Sequence, residues 1–301
     1  GARATPERPP AMRSFRDLLA ALAVGAAVAT AAGVEPEVLT RAVPGSSTEA
    51  APGAERQPRI IAHLVPHTHD DPGWLKTWSE YYEGSQQWFN PGGVRFIYHS
   101  VILALEEEPA RRFVIVEMSF FMRWWFEQTE VMHERVRRLV HSTKQLEFAN
   151  GGFVMHDEAS ASYQSMIDQT TFGHDFLATH LGYTPTVTWQ IDPFGHSATS
   201  AALSADMGFS SLFFGRMDYQ DRALRMARHE MEFVWRGSAS LGRSSDLFTA
   251  GSQSGNYGPP SSFCLDVLCE DEQIIEHGED RNVEERTEDF IQAILELARH
   301  Q

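Results

Sequence analysis

Five short runs, each apolar and rich in β-branched or aromatic residues, recur along this chain at Ile60–Val65, Phe113–Glu117, Gln145–Ala149, Thr186–Ile191 and Ser211–Phe214. They are too short for helices, and the segments between them carry helical spacing instead. Trp74–Tyr82 reads as a helix, followed by a Gly/Asn/Pro break between Phe89 and Gly93. Val94, Ile97, Val101, Ile102 and Leu105 then place an amphipathic helix that ends before Pro109. A further helix carries Trp124 and Trp125 together with Arg135, Arg137 and Arg138. Glu158–Leu181 and Ala201–Met207 complete the alternation. Strand followed by helix, repeated this often, predicts the α/β class: a parallel β-sheet or barrel core with helices outside it.

In such folds the active site is built where the strands end. Each predicted strand here releases a polar residue at that edge: His67 and His69, Glu117, Asn150, Asp192 and Arg216. Polar residues also appear at strand ends simply because the chain surfaces, and for Glu117 or Asn150 alone that plainer account is preferred. The first strand end is denser. His67-Thr68-His69-Asp70-Asp71 sets four metal-competent side chains before a Pro72-Gly73 turn and Trp74. Imidazole nitrogen with carboxylate oxygen is a donor set that suits zinc, and His69 and Asp71, two residues apart, point the same way. Trp189-Gln190-Ile191-Asp192-Pro193-Phe194-Gly195-His196-Ser197 repeats the layout of strand, acid and Pro/Gly turn. A lone His-x-His is ordinary in a solvated turn; two such constellations favour a site.

The chain has 301 residues, 42% of them hydrophobic, which supplies a sizeable core. Its formal net charge of -16 argues against nucleic acid as a partner, because a basic face is needed to neutralise a polyanion. Met12-Arg13-Ser14-Phe15-Arg16, the apolar Leu18–Ala32 and the small Ala29-Thr30-Ala31 predict a secretory signal peptide, so 1–33 is read as leader and upstream residues. That apolar run is shorter than the roughly 20 residues that span a bilayer, so no permanent membrane anchor is expected. A Pro/Gly/Ser/Thr-rich linker over 34–58 precedes a folded part from 59 to 301. Cys264 and Cys269 are the two cysteines; in a secreted protein they could close a small disulfide loop, and they are too few for a zinc ribbon.

His67-Thr68-His69-Asp70-Asp71-Pro72-Gly73-Trp74-Leu75-Lys76-Thr77, Leu146–Gly152, Asp157-Glu158-Ala159, Ile191–Ser197 and Phe214–Asp221 together resemble the glycoside hydrolase family 38 α-mannosidases, nearest the lysosomal, acidic type. The resemblance runs from about Ile60 to Leu268. It implies that one Zn2+ is held by His69, Asp71 and Asp192. Asp192 would also be the catalytic nucleophile of a retaining exo-α-mannosidase that removes terminal mannose from glycans. Trp74 and Phe194 would form an aromatic floor under the sugar, and Arg216 would support the carboxylates. The loop around Asn256 and Tyr257 also touches sugar in the family, on a looser match. Cys264 and Cys269 match a short disulfide loop of the lysosomal type, consistent with the secretory pathway, a lysosome or vacuole, or the extracellular space.

One departure accompanies the resemblance. The family's acid/base aspartate and a further histidine ligand lie on later strands, downstream of anything matched here. The expectation is therefore an incomplete catalytic domain, with two other readings beside the enzyme. One is a fragment that at most binds mannose; the other is a metal-dependent deacetylase or amidohydrolase in which the metal activates water.

Overall fold

In a computed structural model the described residues are 60–252, 257–265 and 268–299. The leader and linker expected over residues 1–58, and Asn256, lie outside them. Helix α1 (Trp78–Glu83) starts where Thr77 accepts from the Glu80 N–H while the Glu80 carboxylate accepts from the Thr77 N–H. It stops at Gly84, whose φ of 75° suits a residue without Cβ. Helix α2 (Val94–Glu107) buries Val94, Val101, Ile102 and Leu105 of the expected face, with Tyr98 in the place of Ile97, which is exposed. Strand β1 (Phe113–Ile115) leads into α3 (Met118–Phe126), and α4 (Glu130–His141) follows after a break.

The single helix expected around Trp124 and Arg135 is thus two. Thr129 has extended backbone and its side chain accepts from the Met132 N–H, so the second helix begins anew there. Strand β2 (Leu146–Phe148) is followed by α5 (Tyr163–Leu181), five residues later than expected. Asp157 instead binds the N–H groups of Ala159 and Ser160 in a turn, and Ser162 caps the helix. Then come β3 (Val187–Gln190), α6 (Ala198–Asp206), β4 (Ser211–Phe214), α7 (Tyr219–Arg228), β5 (Glu232–Arg236), β6 (Asp246–Gly251) and α8 (Val283–Ala298).

Strands β1 and β2 run parallel, with Phe113 opposite Leu146. A second sheet has the order β3-β4-β6-β5, parallel except for β5, which pairs antiparallel with β6. Asn150 links the two sheets. Its N–H donates to Val187 O at 2.8 Å, its side-chain amide donates to Trp189 O, and its Oδ1 accepts from Trp189 N and Thr188 Oγ1. The parallel α/β expectation therefore holds with one antiparallel strand added.

The expected first strand, Ile60–Val65, does not form. A parallel bridge of His67 with Val114 attaches this segment to β1, through Thr68 N to Val114 O and Val114 N to Pro66 O. Pro66 has no N–H to extend a ladder, so pairing begins and ends within three residues. The segment nevertheless delivers its histidines to the C-terminal edge of β1.

The main core gathers α1–α5 around β1 and β2. Phe121, fully buried, meets Tyr98, Trp124, Trp125, Phe148 and Phe176 at ring separations of 5.1–6.1 Å. A smaller cluster of Phe209, Leu212, Phe214 and Leu247 lies under the second sheet. Helix α5 approaches the turn after β2 so closely that a Cβ on Gly173 would stand 2.0 Å from the Gly151 carbonyl oxygen. Cys264 and Cys269 are disulfide-bonded. No helix among the described residues is long and apolar enough to cross a membrane.

Candidate active site

The bridge to β1 turns His69 inward, and the end of β3 brings Asp192 to meet it. Nε2 of His69 stands 3.5 Å from Asp192 Oδ2 and 3.7 Å from Asp71 Oδ1. One imidazole nitrogen thus faces two carboxylates, Asp71 two positions after it in the chain and Asp192 far along it, because separate elements deliver them. On its other side, Nδ1 of His69 lies 3.8 Å from Glu117 Oε1 at the end of β1. His69 is mostly buried and Glu117 wholly so, while Asp71 and Asp192 keep 43% and 24% of their side-chain surface, so the cluster opens to solvent through its two aspartates.

Arg216, beyond the end of β4, fixes Asp192. Its Nε donates to the Asp192 backbone carbonyl and to Oδ1 at 3.0 Å each, and its Nη2 donates to Oδ1 at 2.5 Å. That leaves Oδ2 turned towards His69. The guanidinium lies 4.4 Å from the Phe194 ring centroid, a cation–π contact that spreads the ring beside the carboxylate. Phe194 and Trp74 are 77% and 72% exposed, so neither is a core residue. Tyr257 joins His69 and Asp192: its ring is 5.0 Å from that of His69 and its hydroxyl bonds to Asp192. The sequence offered only a loose match for Tyr257.

Behind this surface stands a buried support. Glu158 accepts from Ser197 N at 2.8 Å and pairs with His196 Nδ1 at 3.0 Å, and His196 Nε2 bonds to the Arg216 carbonyl at 2.9 Å. Glu158 therefore ties the turn after β3 to the end of β4, the two segments that carry Asp192 and Arg216. Sequence reasoning had placed Glu158 at the head of a helix; its fully buried carboxylate is in use elsewhere.

The electrostatics are one-sided. Burial pushes Asp70 up to about 6, with Asp71 adding to the rise, while the Tyr98 hydroxyl, donating at 3.2 Å, opposes it. Burial and then the charge of Asp70 push Glu117 well above the carboxylate range. Burial also lowers His67 and, with Asp192 beside it, raises the Tyr257 phenol. Three acids, Asp71, Glu117 and Asp192, thus face one imidazole, with Arg216 bound to a single one of them. Such a cluster is the environment that a cation relieves.

Among the described residues no three His, Cys, Asp or Glu side chains are already drawn together as metal ligands. The donors still fit a zinc ion. Two ligands about 2.1 Å from a tetrahedral centre stand roughly 3.4 Å apart, and the two contacts of His69 Nε2, 3.5 and 3.7 Å, lie within a few tenths of an ångström of that edge. An imidazole and two carboxylates are also a chemically suitable set.

Comparison with known proteins gives the family. The sequence profile described as "Glycosyl hydrolases family 38 N-terminal domain" matches residues 59–301. A lysosomal alpha-mannosidase of Cavia porcellus is 51% identical over 246 residues, covering 80% of this chain and 24% of that protein. The lysosomal alpha-mannosidase of Homo sapiens is 48% identical over 246 residues, with the same coverage of both chains. An alpha-mannosidase of Arabidopsis thaliana is 48% identical over 250 residues, covering 79% of this chain and 24% of that one. The chain thus spans about a quarter of the length of the curated relatives it matches. In fold it is similar to an alpha-mannosidase from Enterococcus faecalis, with a TM-score of 0.52 and 15% identity over 78% of this chain and 22% of that one.

Proposed function

The chain belongs to glycosyl hydrolase family 38, as its N-terminal domain, and from that premise we propose that its protein is a zinc-dependent retaining exo-α-mannosidase acting on terminal α-mannose of glycans. The observation that carries the proposal is the meeting of His69 Nε2 with Asp71 and Asp192 at one exposed edge of the sheet. His69, Asp71 and Asp192 would hold the zinc ion. When bound, it supplies positive charge that grips vicinal hydroxyls, selecting the axial 2-hydroxyl of mannose and favouring a distorted ring.

The residues of this chain would take the nucleophilic and positioning roles. Asp192, held by Arg216 through Oδ1, is the nucleophile: it bonds to the anomeric carbon as the glycosidic C–O bond breaks, the leaving oxygen taking a proton from the family's acid/base aspartate downstream of the matched segments, and water then cleaves the glycosyl–Asp192 ester with net retention. Arg216 keeps the carboxylate aimed. Trp74 and Phe194 offer exposed ring faces on which the C–H side of a sugar packs. Tyr257, hydrogen-bonded to Asp192, closes the remaining side. The relatives' names include lysosomal enzymes, which supports a secretory-pathway destination together with the expected leader and the disulfide.

The test, in the full-length protein, is hydrolysis of an aryl α-mannoside, with zinc content measured alongside. Asp192→Asn abolishes turnover and His69→Ala loses both metal and turnover. Turnover surviving Asp192→Asn removes the nucleophile assignment. Release of acetate from an acetamido sugar, with no covalent sugar adduct on the protein, would select the deacetylase reading instead.

A further inference from the structure

We infer that Glu117 is a positioning residue for His69: it accepts the Nδ1 proton, and so directs the Nε2 lone pair at the cation that Asp71 and Asp192 would share. This rests on the cation-site reading above. The geometry singles out Glu117. His69 Nδ1 and Glu117 Oε1 are both buried, neither has a hydrogen-bond partner among the described residues, and they face each other at 3.8 Å. One proton placed between them satisfies both atoms. Two buried polar atoms left unpartnered would be costly, so their being opposite one another is meaningful.

The proton's position decides what the ring can do. A neutral imidazole carries one N–H and one lone pair. With the proton on Nδ1, the lone pair of Nε2 points at two carboxylates, where only a cation is a favourable neighbour. With the proton on Nε2, the ring can donate to Asp71 or Asp192 but cannot ligate through that nitrogen. Glu117 therefore chooses between a ligand and a hydrogen-bond donor. Carboxylates serve this purpose behind metal-bound histidines generally.

Glu117 is itself held in place. Its Oε2 accepts from Thr68 Oγ1 at 2.7 Å, and Thr68 Oγ1 accepts from the Val116 N–H at 2.9 Å. The chain of contacts runs from the backbone of β1 through Thr68 and Glu117 to His69. Thr68, the middle residue of the His-Thr-His motif, is buried and has a task of its own. The single bridge between His67 and Val114 brings both halves of this chain of contacts together.

The experiment measures zinc dissociation constants by competition with a chromophoric chelator, in the full chain, for the wild type, Glu117→Gln, Glu117→Ala, Thr68→Val and His69→Ala. Thermal melts confirm folding. Weakening of about 10- to 100-fold is expected for Glu117→Ala, a smaller loss for Glu117→Gln, which keeps an acceptor oxygen, and an intermediate one for Thr68→Val. In the zinc-bound wild type the 15N shifts of His69 should report a protonated Nδ1, and this signature should fade in Glu117→Ala. If the alanine variant does not fold, the isosteric glutamine carries the test. Unchanged affinity and tautomer in a folded Glu117 variant overturn the proposal. Zinc binding that is absent in the wild type, or unaltered by His69→Ala, overturns the cation site itself.

Discussion

Arg216 shows how much a site of this kind depends on the shape of one side chain. It meets Asp192 with a planar fork, two contacts to Oδ1 and one to the backbone carbonyl, while its face lies on Phe194. Lysine keeps the charge and loses the fork. Arg216→Lys should therefore lower kcat for an aryl α-mannoside by about 10²-fold, the cost of roughly an ångström of misplacement, with KM changed far less. Steady-state kinetics of the two proteins check this. At this scale the sequence marked His69, Asp71, Asp192 and Arg216 at predicted strand ends, and the fold brings these four together; Trp74 and Phe194 came from the family resemblance, and of the two Phe194 lies against Arg216. Glu117 was not singled out, because a lone acid after a strand is usually just where the chain surfaces; burial and a facing imidazole, neither visible in sequence, make the difference. Tyr257 was weak for another reason. It comes from a loop without periodicity, and only the fold brings it over His69.

Among the elements, the contact between α5 and the turn after β2 is the least forgiving. Gly151 has a φ of 70°, and Gly173 sits against its carbonyl with no room for a methyl group. Gly173→Ala must push the helix away or twist the turn, so it should destabilise the chain by about 1–3 kcal/mol; denaturant melts measure it. The damage should also reach the site, because Asn150, next to that turn, stitches β2 to β3. The helices that bury a regular face could be read from sequence, α2 above all. What escaped were the elements whose signal is weak or misleading. Ile60–Val65 has strand composition but finds no partner. Glu232–Arg236 alternates as a strand should, but with an antiparallel neighbour reached through a long connection and no hairpin signal beside it. The break between α3 and α4 depends on one cap at Thr129 in a run otherwise fit for a helix.

Across the whole molecule, the candidate site lies where two separately packed regions meet. His69 and Asp71 hang from the β1 side, whose core is the aromatic cluster around Phe121, whereas Asp192 and Arg216 belong to the sheet over Phe209, Leu212, Phe214 and Leu247. The direct ties between them include the Asn150 hydrogen bonds and the weak His69–Asp192 contact. A chain of net charge -16 gathers Asp70, Asp71, Glu117 and Asp192 at this seam, so an ion bound here should join the two regions as well as relieve their repulsion. Binding to the folded state alone contributes RT ln(1 + [L]/Kd), about 2.7 kcal/mol at one hundred times Kd. For a domain of this size each kcal/mol moves Tm by roughly 2–4 °C. Saturating zinc should then raise Tm by about 5–11 °C, a chelator should return it to the metal-free value, and Asp192→Asn should show little shift in either direction. Magnesium, which prefers an octahedral shell of oxygen ligands and retained water, should do much less. Scanning calorimetry of the wild type and Asp192→Asn with zinc, magnesium and chelator decides the matter: equal shifts in the two proteins would mean that the ion binds elsewhere and that the seam is closed without it.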